Sequence, residues 1–155
     1  VYKRQPVIQG ARCLDLFAGS GAMGLEALSR GAAKVVLVDN HRRVVQQLQQ
    51  NLNLLDAGNA IVHQADAVDF LAGKGQAKAE SFDVVFLDPP YQAGLLTACI
   101  NLLEQHGWLS EHAYIYLECD AQQGLPALPA NWQLHRHKTA GQVSYHLAIR
   151  GSVEQ

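Results

Sequence analysis

The stretch Cys13-Leu14-Asp15-Leu16-Phe17-Ala18-Gly19-Ser20-Gly21-Ala22-Met23-Gly24 decides the fold. Its first five residues make a short apolar run with one carboxylate inside it, and the glycines behind that run turn the chain sharply. A helix pattern follows from about Ala22 to Ser29, with Gly31 as its stop. Strand, glycine turn and helix in that succession open a βαβ unit.

The alternation continues downstream. Lys34 to Asp39 holds Val35-Val36-Leu37-Val38, a β-branched run of the buried-strand type. Val45, Leu48, Leu52 and Leu55 recur at helical spacing, and Asp56-Ala57-Gly58-Asn59 ends that helix. Ala60 to His63 reads as a third strand. A polar loop around Gly73-Lys74-Gly75 precedes a fourth, Ser81 to Leu87. Leu96, Ile100 and Leu103 mark another helix, stopped by Gly107, and Tyr114 to Cys119 is a fifth strand. Strands alternating with helices of this length require right-handed crossovers and a parallel sheet covered on both faces. Beyond Pro126 and Pro129 the pattern changes: Trp132 to Lys138 and Val143 to Arg150 are strand-like and are joined by Thr139-Ala140-Gly141-Gln142. The expected architecture is α/β, a doubly wound, mostly parallel sheet finished by a C-terminal antiparallel hairpin. One domain is expected over 13–150, with a short leader at 1–12 and a tail at 151–155.

A chain of 155 residues, 48% hydrophobic and 17% charged, can bury one core and is not of disordered composition. No apolar run reaches the roughly 20 residues a spanning helix needs, and Val1 to Gln5 lead into no apolar signal segment. Cys13, Cys99 and Cys119 are odd in number, lack CxxC spacing and sit in apolar stretches. They read as buried free thiols, which places the protein in the cytoplasm. A net charge of −2 argues against tight non-specific binding to a polyanion, while leaving room for a nucleic-acid substrate met through a local patch.

In an open parallel sheet, ligands bind beyond the carboxyl ends of the strands where strand order reverses. Gly19-Ser20-Gly21-Ala22-Met23-Gly24 is a literal GxGxxG after a strand, and Asp39 ends the next strand twenty residues beyond Gly19. A carboxylate there suits ribose hydroxyls, or alternatively caps the helix starting near Arg42. These features alone fit both NAD and S-adenosylmethionine. Asp15 tilts the choice, because a carboxylate beside the turn repels a pyrophosphate and attracts a cationic methionine end. Asp66 follows the third strand and reads both as acceptor for an adenine amino group, with the Ala67 N–H offered to the ring, and as a helix N-cap.

Asp88-Pro89-Pro90-Tyr91, directly after the fourth strand, is the most specific signal. The two prolines remove N–H donors and fix the backbone, so that carbonyl oxygens point outward. Methylation of a planar exocyclic amine needs such a corner, since the nitrogen lone pair is delocalised into the ring. The Asp88 carboxylate and the Pro89 carbonyl can each accept an N–H bond and stabilise developing positive charge, while Tyr91 stacks on the base.

With Asp15-x-Phe17-x-Gly19-Ser20-Gly21, then Gly24-Leu25-Glu26-Ala27 and Asp88-Pro89-Pro90-Tyr91, the chain resembles the class I S-adenosylmethionine-dependent methyltransferases that modify amino groups. It resembles more narrowly the bacterial 16S ribosomal RNA (guanine-N2) methyltransferases. The narrow likeness rests on Asn101-Leu102-Leu103-Glu104, Gly107-Trp108-Leu109, Pro129-Ala130-Asn131-Trp132 and Ala140-Gly141-Gln142-Val143. The resemblance implies a seven-stranded Rossmann-like sheet, S-adenosylmethionine as donor and guanine N2 in small-subunit ribosomal RNA, or an assembling 30S particle, as acceptor. It assigns the glycine turn and Asp39 to the cofactor, and Asp88, Pro89, Pro90 and Tyr91 to the amine. With the residues read above, the expected cofactor set is Asp15, Phe17, Ala18, Gly19, Ser20, Gly21, Asp39, Asn40, Asp66 and Ala67, in a chain expected to be a monomer with no metal and no membrane attachment. Two departures from the family pattern are expected to matter. The leader is shorter than the family's N-terminal arm, and Gln92-Ala93 stand where members often carry basic side chains.

Arg42-Arg43 and His135 to Lys138 are the basic patches. Strand alternation puts His135 and His137 on one face, without a third ligand at metal spacing, and Arg136 and Lys138 on the other, as a solvated face or an RNA contact. Trp108 and Trp132 read as packing residues, and Glu118 as facing the functional edge with no role assigned. The alternatives are an NAD-dependent oxidoreductase, which would need a Tyr/Lys or His arrangement not found here, and a catalytically silent RNA- or cofactor-binding fragment. An adenine-N6 DNA methyltransferase would share Asp-Pro-Pro-Tyr but needs a target-recognition domain for which 155 residues leave no room.

Overall fold

In the computed structural model, residues 8–73 and 80–151 are described. Lys74 and Gly75 of the polar loop, Val1 to Gln5 and most of the tail lie outside them. The apolar run at the start forms the central strand β1, Arg12–Asp15, with Cys13 and Leu14 wholly buried. It ends two residues earlier than its apolar length suggests, because Leu16 and Phe17 already belong to the turn. Helix α1 (Ala22–Ser29) then leads to β2 (Lys34–Asp39), α2 (Arg42–Leu54), β3 (Ala60–Gln64), α3 (Ala67–Leu71), β4 (Phe82–Leu87) and α4 (Leu95–Gln105). The chain closes with β5 (Leu109–Asp120), β6 (Trp132–Ala140) and β7 (Val143–Arg150).

The seven strands lie in the order β3-β2-β1-β4-β5-β7-β6, parallel up to β5 and antiparallel in the β5-β7-β6 part. The doubly wound sheet and its terminal hairpin are therefore as expected. Two cores flank the sheet. On one face α3 and α4 pack over Leu14, Val85, Ile115 and Leu117; on the other α1 and α2 pack over Cys13, Val35, Leu37 and Val84. Each such fully buried aliphatic side chain contributes about 1.5–3 kcal/mol relative to exposure. Gly24 sits where α1 crosses β2, and a Cβ there would stand 2.5 Å from Leu37 Cδ2 and 3.3 Å from Val35 Cγ1. The helix approaches the strand so closely here that only glycine fits without displacing a neighbour.

Several local expectations change. Leu48 and Leu52 face the core, but Leu55 is the C-cap of α2 and is 62% exposed, because the helix stops before that turn can pack. Strand β5 begins at Leu109, five residues early: Leu109 pairs with Phe82, and a bulge intervenes before Tyr114 pairs with Val84. In β6 a register shift between Leu134 and Arg136 breaks the alternation at His135, so His135 and His137 do not follow the simple two-residue rule. Cys13 and Cys99 are buried free thiols, but Cys119, near the strand end, is only half-buried.

Glu104 on α4 ties the hairpin to the helical layer. It accepts from Arg150 Nε and Nη2 at 2.8 and 2.9 Å, from Trp132 Nε1 at 2.7 Å and from Asn131 Nδ2 at 3.2 Å. Trp108 donates to the Leu71 carbonyl at 2.7 Å and stacks near Phe70 and Phe82. Both tryptophans are packing residues.

Candidate active site

From β1 the chain winds to one side through β2 and β3, then returns to lay β4 and β5 on the other. The reversal places a crevice between the carboxyl ends of β1 and β4. The turn after β1 occupies this crevice. Its Gly21 N–H bonds the Ala18 carbonyl at 2.7 Å, and the Ala18 N–H bonds the Val38 carbonyl of β2 at 3.0 Å. Gly19 and Gly21 have φ of +54° and +83°, a region that disfavours side chains, so the tight turn depends on glycine at both.

Asp39 does not cap α2; His41 is the N-cap residue and makes no side-chain cap bond. Instead Asp39 Oδ2 accepts the Gly19 N–H at 3.0 Å, and its Oδ1 accepts the His41 N–H at 3.0 Å. Asp66 does cap α3, accepting the Asp69 N–H at 3.1 Å. The Ala65 N–H bonds the Asp39 carbonyl at 3.0 Å, which keeps the end of β3 beside the end of β2.

A cavity of about 250 Å³ opens from the crevice, lined by Asp15, Phe17, Ala18, Gly19 and Ser20 on one side and by Phe86, Asp88, Tyr116, Glu118 and Tyr145 on the other. Asp15 and Asp88 thus meet in one space with the glycine turn. Gly21 lies behind it as the N-cap of α1. Asp39, Asn40, Asp66 and Ala67 do not line this space; Asp39 reaches it only through Gly19.

Electrostatically the cavity is acidic. Asp15 is only 3% exposed, and burial pushes its carboxyl up to about 7. The Phe17 N–H opposes that rise, the charge of Asp88 adds to it, the Gly24 N–H opposes it and Asp39 adds to it. Glu118 is also raised to about 7, first by burial and then by the charge of Asp88 and a hydrogen bond to it.

The proline corner adjoins this space. Asp88, Pro89, Pro90 and Tyr91 line a slot of about 110 Å³ with Glu118, Cys119 and Val143. Pro89 to Tyr91 also border a groove of about 220 Å³ running towards Gln123 and Pro126. Tyr91 is 66% exposed, so its ring is open to a planar partner. Glu118, Tyr116 and Tyr145 were not assigned by sequence. Alternation along Tyr114 to Cys119 places Tyr116 and Glu118 on one face, but only the pairing with β4 and β7 shows which face meets the cavity. Among the described residues no group of three or more His, Cys, Asp and Glu side chains could hold a metal ion, and no helix is long and apolar enough to cross a membrane.

A doubly wound seven-stranded sheet in this order, with its glycine turn after β1 and Asp-Pro-Pro-Tyr after β4, defines the class I methyltransferase architecture. The chain belongs to the family described as conserved hypothetical protein 95, whose model matches residues 3–149. It is 56% identical over 145 residues to ribosomal RNA small subunit methyltransferase D of Escherichia coli strain K12, covering 94% of this chain and 71% of that protein. The protein of the same name in Haemophilus influenzae is 43% identical over 144 residues, covering 92% and 73%. The solved structure of a candidate methyltransferase from Escherichia coli superposes with a TM-score of 0.89 at 53% identity, covering 96% of this chain and 81% of that one. A SAM-dependent methyltransferase from Aquifex aeolicus shares the fold at a TM-score of 0.66 and 16% identity, covering 96% and 86%.

Proposed function

We propose that this protein transfers a methyl group from S-adenosylmethionine to the exocyclic N2 amine of a guanine in small-subunit ribosomal RNA. The observation that carries the reading is the junction at Asp88, which lines both the acidic cavity beside the glycine turn and the slot of the exposed proline corner. A donor and a flat amine can therefore meet at one carboxylate. The names of the relatives supply the ribosomal RNA class, and the Asp-Pro-Pro-Tyr chemistry supplies the amine.

The residues present fit the donor. Asp15, Asp88 and Glu118 surround the cavity with carboxyl groups and, among the described residues, no lysine or arginine lines it, which suits a cation and repels a pyrophosphate. This charge pattern weighs against the NAD reading. When bound, S-adenosylmethionine supplies an electrophilic methyl group on a positively charged sulfur. Asp39, Asn40, Asp66 and Ala67 would hold the adenosine end, along the ends of β2 and β3, and the turn from Phe17 to Gly21 would border the rest. On the acceptor side, the Asp88 carboxylate and the Pro89 carbonyl accept the two N–H bonds, aim the nitrogen lone pair and stabilise charge developing on it. Pro90 stiffens the corner, and Tyr91 covers one face of the base.

Methyl transfer to a small-subunit particle, followed by nucleoside analysis, tests the reading. The expected product is N2-methylguanosine. Asp88→Ala is expected to abolish transfer while leaving donor affinity within a few-fold, and retained turnover would refute the role of Asp88. Saturable calorimetric heat with NAD and none with S-adenosylmethionine would overturn the whole assignment.

A further inference from the structure

Register places two acids side by side where the cavity meets the slot. Leu87 of β4 pairs with Leu117 of β5, so Asp88, just past the end of β4, stands beside Glu118, two residues before the end of β5. Both carboxyl groups line the same cavity and the same slot, and a hydrogen bond between them requires a proton on one of the two, since two carboxylates offer only acceptors. Glu118 also borders the 250 Å³ cavity, the 110 Å³ slot and the 220 Å³ groove.

We infer that Glu118 is a positioning residue: as the neutral acid it donates a hydrogen bond to one Asp88 oxygen and leaves the other oxygen turned to the amine. This rests on the methyltransferase reading above. A lone carboxylate at a strand end swings between rotamers, whereas one oxygen held by a fixed donor cannot. As the N–C bond forms and the C–S bond breaks, with the electron pair left on sulfur, one amine N–H proton passes to the free Asp88 oxygen. The carboxyl pair ends neutral and releases that proton through exposed Asp88.

Among the described residues, the ionisable groups around Glu118 are Asp88 and Tyr91 beyond β4, Asp15 of β1, Tyr116 of its own strand, Tyr145 and His146 of β7, and its neighbours Cys119 and Asp120. Lys138 of β6 stands in the same cross-strand row, beyond Tyr145. Burial and Asp88 together hold Glu118 protonated up to about 7. Its neutral form is therefore lost as pH rises through that value, and the bond to Asp88 goes with it.

Two experiments test the role. In turnover, Glu118→Ala is expected to lower kcat at pH 6.5 at least tenfold with donor affinity within threefold. Glu118→Gln, whose amide still donates to Asp88, is expected to recover most of that loss and to abolish the decline of wild-type kcat above pH 7. Wild-type turnover in Glu118→Ala, or equal loss in both variants, overturns the inference. In the ligand-free chain, carboxyl-detected NMR should show Glu118 titrating near neutrality, and Asp88→Asn should move its midpoint down by at least one pH unit. An unmoved midpoint overturns the pairing. The NMR result stands without any methyl transfer, so a failed functional reading and a failed carboxyl pair give different results.

Discussion

Gly19 donates its backbone N–H to Asp39 Oδ2 at 3.0 Å, tying the turn after β1 to the end of β2 across twenty residues. The other oxygen of the same carboxylate holds the His41 N–H, so one side chain fixes both loops that flank the crevice. The bond is part-buried, and removing its acceptor leaves an N–H with reduced access to water, a loss of about 1–3 kcal/mol. Asp39→Ala is therefore expected to weaken S-adenosylmethionine binding at least tenfold while the far-ultraviolet circular dichroism stays that of the parent. Calorimetric titration measures this, and unchanged affinity would show that the loop is anchored without Asp39.

Gly24 tests the packing beneath that loop. An alanine Cβ would meet Leu37 at 2.5 Å, and Leu37 has no exposed surface into which to retreat. Overpacking of a close-packed core costs about 1–3 kcal/mol, and here it exceeds the small helix-propensity gain of alanine over glycine. Gly24→Ala should lower the urea midpoint without changing the slope of the transition. A raised midpoint would mean that α1 can shift outward freely.

What could be read in the sequence was local. The strand–turn–helix opening, the cap at Asp66 and the hairpin around Gly141 depend on residues within a few positions of one another, and all are present. The backward extension of β5 to Leu109 was hidden because polar Ser110, Glu111 and His112 resemble a loop; what organises them is the pairing of Leu109 and Tyr114 with β4 on either side, the Ser110 hydroxyl bond to Asp83 at 2.6 Å, and Arg150 Nη1 on the Ser110 and Glu111 carbonyls. The bulge at His135 depends on the register of β7. Within the site, Asp88 and the glycine turn stood out as motifs. Glu118 did not, because its meaning comes from the Leu87–Leu117 pairing, which joins segments thirty residues apart.

Glu104 links acid stability to the hairpin. Its carboxyl is lowered to about 2, chiefly by the hydrogen bonds from Arg150 against the opposing effect of burial, with Trp132 and Asn131 assisting. A carboxyl depressed on folding adds stability above its unfolded value, near 4.5, and loses it as pH falls towards 2. Glu104→Ala should therefore destabilise the protein at pH 7 by about 3 kcal/mol, since it removes the acceptor of Arg150 Nε and Nη2 and of the Trp132 N–H. The gap between variant and parent should narrow between pH 4.5 and 2. Denaturant titrations at pH 7, 4 and 2.5 measure this, and a gap independent of pH would mean that the ion pair contributes nothing.

Asp15 is expected to make binding of a cationic donor a proton-linked event. Buried and raised to about 7, its carboxyl is largely protonated at pH 6 and ionised at pH 8. In the free protein this works against stability as pH climbs from the unfolded value near 3.8 to about 7, because the folded chain keeps a proton the unfolded chain has lost. A cation entering the cavity reverses the preference, since it favours the charged carboxylate. Affinity for S-adenosylmethionine is therefore expected to rise as pH passes from 6 to 8, by up to about tenfold per unit for each proton released. Calorimetry at pH 6.5 in buffers of different ionisation enthalpy should report net proton release on binding. Asp15→Asn should bind more weakly at pH 8 and show a flatter pH dependence. Wild-type binding without proton release, or a variant with the parent's pH dependence, would mean that Asp15 keeps its proton throughout and acts only as a hydrogen-bond anchor for the turn.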